Sequence, residues 1–316
     1  MWHQADEVRR ASNNSRGMLM EAVPNVSEGR RADVLAALMA AGAGEDAHLL
    51  NVSSDPSHNR TVLTLAGTPA GLHEAMLALV AAAIARIDLA EHQGVHPRLG
   101  AVDVMPFVPL SGSTMADAVA LAKRFAGAAA DTFGIPVYLY EEAAPAAHRQ
   151  RLDQIRAGGL AGLAARMALP DWWPDAGPRT PHPTAGVMAV GARPPLVAFN
   201  VNLDTTDMAI ATRIASEVRA RNGGLPGVKA LPMWLAHRSL AQVSMNLVDL
   251  DRTTAADAFA AVAHAAGTLG VTVVDSEVVG LIPRAALGGR SPRELQIADW
   301  TDALLLEEQL RRAGLT

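Results

Sequence analysis

The sequence predicts a mixed α/β protein, α+β in its sheet pattern, with two lobes. Each lobe is predicted as a βαββαβ ferredoxin-like mixed sheet covered by helices. Three observations lead there. The chain has 316 residues, more than one hydrophobic core ordinarily organises. Half of the residues are hydrophobic and 19% are charged, a balance that builds cores and excludes general disorder. Short β-rich segments and longer helical segments recur in one order, βαββαβ, in both halves.

The elements follow in sequence. Residues 1–17, with charges, Ser and Asn but no apolar run, read as a disordered leader and not as a secretory signal. The first lobe spans 18–193. Leu19–Val23 reads as a strand and Glu28–Ala41 as a helix. His48–Val52 is a second strand, followed by the loop SSDPSHNR, rich in turn formers. Thr61–Ala66 is β-rich. Thr68-Pro69 supplies an N-cap and an N1 proline for a long helix to Leu89. After EHQGVHPRLG come a strand at Val102–Val108, a helix at Thr114–Phe133 and a strand at Val137–Tyr140. The Pro/Gly/Trp-rich stretch PDWWPDAGPRTPHPTAGV is too irregular for a regular element and reads as a long functional loop.

The second lobe, 194–316, repeats the order. Leu196–Val201 is a strand, Thr206–Arg221 a helix, and Val228–Leu235 and Ala241–Val248 are strands. Ala255–Leu269 is a helix and Val271–Asp275 a strand. A terminal helix is expected over Pro292–Ala313.

Composition narrows the function. With 27 Lys and Arg against 32 Asp and Glu, the formal charge is -5 and no basic run stands out, which argues against nucleic-acid binding. The absence of cysteine excludes disulfides, thiolate metal sites and a cysteine nucleophile. The most apolar helical stretch, Ala75–Leu89, is interrupted by Arg86 and Asp88, so no membrane span is expected. The chain reads as a soluble cytoplasmic protein. Neither a dinucleotide fingerprint nor a Walker A sequence is present: GAGEDA lacks the third glycine, and Val228 breaks the glycine-lysine step of GGLPGVK. His92 and His96 stand four apart, but Gly94 and Pro97 break the helix a zinc pair would need. No metal is expected.

Two polar loops carry more. NVSSDPSHNRTV gathers Asp55, Ser57, His58, Asn59 and Arg60 between two strands, and GVHPRLGAVDV places His96, Arg98 and Asp103 at the start of another. Each residue alone reads as a solvated turn residue. Together they set two imidazoles, two guanidiniums and two carboxylates at strand ends, a set suited to holding a small anion and moving a proton near neutral pH. Gln242, Ser244 and Asn246 alternate with apolar neighbours and share one strand face, open either to solvent or to a ligand. Trp172 and Trp173 read as packing between the lobes or as a stacking surface.

At these residues the chain resembles a known family. PNVSEGR (Pro24–Arg30), SHNRTV (Ser57–Val62), HPRLGAVDVMPFVP (His96–Pro109), IPVYLYEEAA (Ile135–Ala144), GLPGVKAL (Gly224–Leu231), AQVSMNLVD (Ala241–Asp249) and VGLIP (Val279–Pro283) are similar, in order, to glutamate formimidoyltransferases. The cyclodeaminase half of the bifunctional animal protein has no counterpart within the 316 residues. The resemblance implies transfer of a formimino group from N-formimino-L-glutamate to N5 of tetrahydrofolate, as in histidine breakdown and one-carbon metabolism. It also implies a homodimer, two α/β lobes with a folate tunnel between them, and tetrahydrofolate as co-substrate. The small-molecule partners would be formiminoglutamate and folate, with no nucleic acid and no membrane.

Carried over by motif, the catalytic histidine falls on His96 and the substrate-side arginine on Arg60. Asp103 is expected to orient the His96 ring, and Asn59, Asp55 and Arg98 to complete the donor site. The folate stretch falls on Gly177, Pro178, Arg179, Thr180, Pro181, His182, Pro183, Thr184, Ala185 and Gly186, with Gln242, Ser244 and Asn246 as further folate contacts. The chain departs from the family at Ser53, where an aspartate is usual, and Asp55 is the nearest replacement. The folate loop reads PHPTAG where the animal enzyme has a Trp-containing version. These departures leave two alternatives: another formimino or formyl donor on the same scaffold, or a folate-binding protein without catalysis.

Overall fold

Alternation of apolar side chains begins at once in the first unit. In the computed structural model, which describes residues 17–56, 58–93, 98–236 and 238–316, Met20–Ala22 (β1) and Asn25–Val26 (β2) point Met20, Ala22 and Val26 into the core. Pro24, with no N–H to give, separates the two pieces. They act as one strand, pairing antiparallel with Arg60–Gly67 (β4) on one side and Val102–Pro109 (β5) on the other. Ala47–Asp55 (β3) hairpins onto the far side of β4. Beyond β5, Met188–Ala192 (β7) and Val137–Glu141 (β6) are added in parallel. Three helices cover one face: Ala32–Gly42 (α1), Pro69–Ile84 (α2) and Met115–Phe133 (α3). Their apolar stripes bury Leu38, Leu72, Met76, Leu79 and Phe125 against the sheet, and Phe125 meets Phe107 edge-on with centroids 5.5 Å apart. Tyr138 and Tyr140 alternate to the other face, where Ile155 of Leu152–Arg156 (α4) and Leu163 of Gly159–Arg166 (α5) form a second cluster.

The second unit begins at Pro194. Its strands are Val197–Leu203 (β8), Val228–Leu235 (β9), Leu240–Leu247 (β10) and Val273–Val279 (β11). They run in the order β11-β8-β10-β9, antiparallel throughout. Met208–Val218 (α6) and Ala255–Thr268 (α7) supply the apolar stripes of this core. In chain order the four strands stand fourth, first, third, second. The β5, β1/β2, β4, β3 part of the first sheet has the same order, so the doubled βαββαβ pattern is a doubled topology.

The structure corrects several boundaries. The first sheet is mixed, whereas the strand pairs β11–β8, β8–β10 and β10–β9 of the second are all antiparallel. The first helix starts at Ala32 and not at Glu28, because the Glu28 carboxylate turns back onto the backbone that follows it. Ser53, Ser54 and Asp55 belong to β3, where Ser54 and Thr61 bridge the strands through their hydroxyls at 2.8 Å. The second helix ends at Ile84. Met188–Ala192, which the sequence reading assigned to no element, is a strand between β5 and β6; its Gly191 leaves the space that the Tyr140 ring fills. The terminal helix shrinks to Leu306–Arg312 (α8), since Gln296 and Asp299 take positive φ and turn the chain before it. The predicted leader, residues 1–16 of it, lies outside the described residues.

Candidate active site

The β3–β4 hairpin organises the site in the first unit. Asp55 and Arg60 are register partners at its mouth. Asp55 Oδ1 accepts the His58 backbone N–H at 2.9 Å and its Oδ2 meets His58 Nδ1, so this carboxylate is engaged by its own turn. Asn59 takes φ 48°, a conformation asparagine tolerates better than most residues. Its buried side chain joins three loops: Oδ1 accepts the Gly29 N–H at 2.9 Å, while Nδ2 donates to Gln93 O at 3.0 Å and faces His92 Nδ1. Gly29 has to be glycine, for a Cβ there would lie 2.6 Å from Asp55 O and 2.7 Å from Arg60 N.

The PNVSEGR loop is fixed by Glu28, whose Oε1 accepts the N–H groups of Gly29, Arg30 and Arg31 at 2.8–3.0 Å and whose Oε2 meets Arg31 Nε at 2.5 Å. Burial raises the pKa of this carboxyl, but the backbone bonds from Arg31 and Arg30 and the Arg31 side chain outweigh it, and the net shift is downward. Arg30 Nε reaches Pro56 O at 2.7 Å, and Arg98 Nη2 reaches His58 O at 3.2 Å. Two guanidiniums thus clasp the turn that Arg60 closes. Burial pushes the Arg60 guanidinium down, as does Arg156, against Asp103 and Asp55. Burial likewise lowers Arg98, with Arg30 and Arg60 adding to it and Asp103 opposing.

Asp103 is buried on β5. Its Oδ1 accepts the Leu99 N–H at 2.6 Å and its Oδ2 pairs with Arg156 Nη2. His96 lies outside the described residues; Gln93 is bonded by Asn59 and Leu99 by Asp103.

The stretch Gly177–Gly186 is anchored beside that segment. Val187 N donates to Leu99 O, Ala101 N to Ala185 O and Leu89 N to Thr184 O, each at 2.8–2.9 Å. Gly186, at φ 69°, sits where a Cβ would be 2.2 Å from Leu99 O. His182 closes its own turn, with Nδ1 accepting Thr184 N and Ala185 N. This leaves Nε2 to carry the proton of the neutral ring. Pro178, Arg179, Thr180 and Pro183 are exposed, as is Gly177, whereas Ala185 and Gly186 are buried in the stitching and Pro181 and Thr184 lie between. Arg179 stacks over Trp173 at 3.2 Å; Trp172 lies under Arg166 at 4.1 Å and beside His148, packing within its own unit.

In the second unit the strand alternation holds. Gln242 is buried and committed: Nε2 donates to Asn202 Oδ1 and Glu277 Oε1, both at 2.9 Å. Ser244 is half-buried and Asn246 exposed on the same face. Asn202 continues to Asp275, which Arg238 grips with two bonds at 3.1 and 2.7 Å. Among the described residues no group of three or more His, Asp or Glu could hold a metal ion, and no helix is long and apolar enough to cross a membrane.

Residues 19–193 match the N-terminal subdomain of the formiminotransferase domain, and residues 198–291 match the formiminotransferase domain. The chain belongs to the formiminotransferase family. A glutamate formimidoyltransferase of Streptococcus pyogenes serotype M1 is 43% identical over 89% of this chain and 95% of its own length. One from Thermoplasma acidophilum is 39% identical over 94% and 98%. The formimidoyltransferase-cyclodeaminase of Sus scrofa is 42% identical over 85% of this chain, which spans 51% of it. Within this formiminotransferase the sequence reading missed Arg156, Glu28 and Glu277. Arg156 sits at the end of a five-residue helix with no motif to mark it, and Glu28 read as part of a helix. Glu277 becomes visible once β11 is paired with β8, opposite Asn200.

Proposed function

We propose that this transferase moves a formimino group from N-formimino-L-glutamate to N5 of tetrahydrofolate, giving L-glutamate and 5-formimino-tetrahydrofolate. Family membership and relatives named glutamate formimidoyltransferase over nearly the whole chain support the reaction. The protonated amidine is electrophilic at carbon without further activation. The N5–carbon bond forms, the bond from that carbon to the glutamate nitrogen breaks, and a proton leaves N5 and arrives on the departing nitrogen. His96 takes that proton and returns it, a role suited to a group titrating near neutrality and contributing ~10²–10⁴-fold in rate. Asp103 serves the reaction by holding the segment after His96 through Leu99. Arg60 and Arg98 hold the donor's carboxylates, with Asn59 and Asp55 shaping the hairpin around them. Tetrahydrofolate, as co-substrate, is bound by Gly177–Gly186 in the first unit. Alignment of the two substrates supplies a further ~7–11 kcal/mol. A homodimer and a cytoplasmic location belong to the same proposal and rest on the family resemblance and composition.

The observation that supports the site assignment is that Asn59 holds Gln93, three residues before His96, and Asp103 holds Leu99, three residues after it. The test is turnover of formiminoglutamate with tetrahydrofolate, followed by detection of 5-formimino-tetrahydrofolate. His96→Ala should lower kcat at least ~10²-fold while the Kd for a reduced folate stays unchanged. Wild-type turnover in that variant would remove His96 from the mechanism. Product formed only from other N-formimino or formyl donors would select the alternative that Ser53 raises, and folate binding without product would select the non-catalytic one.

A further inference from the structure

The loop that closes the stretch Gly177–Gly186 is built around one imidazole. His182 and Gly186 pair as a small hairpin, His182 N donating to Gly186 O at 2.9 Å and Gly186 N to His182 O at 3.0 Å. Three residues lie between them. Pro183 has no N–H to satisfy, so the loop has two backbone donors of its own, at Thr184 and Ala185. Both go to His182 Nδ1, at 3.3 and 3.0 Å. With these N–H groups drawn inward, the Thr184 and Ala185 carbonyls accept from outside the loop, from Leu89 N and Ala101 N, each at 2.9 Å. Ala101 immediately precedes β5.

A backbone donor turned into a loop costs free energy unless an acceptor meets it. One ring nitrogen meets two such donors here. It does so only with its lone pair in place, as the neutral Nε2–H tautomer. Nδ1 stands two bonds from Cβ, where asparagine carries Oδ1. His182 thus closes its loop as asparagine closes an Asx turn, with the acceptor fixed by a short stem. The exposed residues Pro178, Arg179 and Thr180 run into a loop whose shape this nitrogen sets.

We infer that His182 is a positioning residue: through Nδ1 it fixes the Thr184–Ala185 loop and so presents the Gly177–Gly186 stretch to tetrahydrofolate in its binding shape. This rests on the tetrahydrofolate reading above and deepens it. The sequence reading places His182 among the folate contacts; the geometry gives its inner nitrogen to the backbone. A loop ordered in advance lowers the cost of binding, so the effect belongs to the affinity for tetrahydrofolate and not to the chemical step.

The test replaces the acceptor in three ways. His182→Ala leaves both loop donors unmet. Its KM for tetrahydrofolate should rise about tenfold or more, the equivalent of one lost hydrogen bond. The kcat at saturating tetrahydrofolate and the KM for formiminoglutamate should change less than about threefold. His182→Asn keeps an acceptor two bonds from Cβ and should bring the tetrahydrofolate KM back to within about threefold of wild type. His182→Gln carries its carbonyl one bond too far and should behave as His182→Ala does. The Asn and Gln variants differ by one methylene and carry the comparison even where His182→Ala does not fold. Hydrogen exchange without substrates is the second readout. The Thr184 and Ala185 amides should exchange about tenfold faster in His182→Gln than in wild type, and His182→Asn should restore most of their protection. A His182→Asn variant with protected amides but the raised KM of His182→Gln would set Nε2 against the ligand and overturn the inference. Equal falls in kcat in every variant, or a KM that none of them moves, would do the same. A wild type that binds no reduced folate, yet shows this order of exchange rates, would sink the folate reading above and leave the loop-building role standing.

Discussion

Asn59 shows how much one side chain can settle. It holds a backbone turn at positive φ and, through one amide, ties the hairpin to Gly29 and Gln93. The residue read from sequence as a donor contact therefore has its amide committed to positioning. Asn59→Ala removes the tether, takes one of the two acceptors from the buried Gly29 N–H and leaves a non-glycine residue at φ 48° without the asparagine amide. A loss of roughly 2–4 kcal/mol in folding stability is expected, from the lost hydrogen bonds and left-handed backbone strain together. Asn59→Gly relieves the strain and keeps only the loss of the tether, so its stability should fall less. Both should lose at least tenfold in kcat, because Asn59 bonds Gln93, three residues before His96. Urea unfolding and steady-state kinetics on the pair separate the two roles. Wild-type kcat in Asn59→Gly would show that the tether is irrelevant to turnover.

At the scale of elements, two helices start the same way. Thr114 and Thr254 cap α3 and α7, each accepting the N–H three residues on, while Asp117 and Asp257 return the bond to the cap. Thr254→Ala should cost about 1 kcal/mol near pH 7. The Asp257 carboxyl is held below its ordinary value by the Thr254 hydroxyl and then by its N–H. Its contribution is therefore present above the unfolded carboxylate pKa and lost as pH falls through the folded one. The gap between Thr254→Ala and wild type should narrow below about pH 4, as urea midpoints across pH will show. The Thr68 cap of α2 was legible in the sequence, as were the strands Val228–Leu235 and Val102–Val108, because period and cap residue are local properties. Met188–Ala192 was not, since a strand of small residues carries no alternation and its neighbours come from distant β5 and β6. Arg60 and Arg98 could be read from their motifs. Arg156 and the Glu277 network could not, because sheet pairing and a short helix, not sequence spacing, bring them to their partners.

For the molecule as a whole, net charge says little about where charge is stored. The chain carries -5 overall, yet its first unit gathers arginines at one hairpin and buries a carboxyl on a central strand of its sheet. Glu21 lies on β1 between β4 and β5, its neighbours Met20 and Ala22 pointing to the opposite face. Burial lifts its pKa from 4.5 to about 7, against the pull of Arg193. The folded value lies above the unfolded one, so the folded state favours the protonated acid. That advantage is fully present below the unfolded pKa and is lost as pH rises through about 7. The whole first unit should lose stability on the order of 3 kcal/mol between mildly acidic and mildly alkaline pH. Glu21→Gln keeps the shape and removes the proton. Its stability should match the wild type near pH 5, exceed it above pH 8, and vary less between them. Hydrogen exchange at the amides of β1 and β5 reads this in the unit concerned. Equal protection of the two proteins at pH 5 and pH 9 would mean that Glu21 is no more costly to ionise in the folded chain than in the unfolded one.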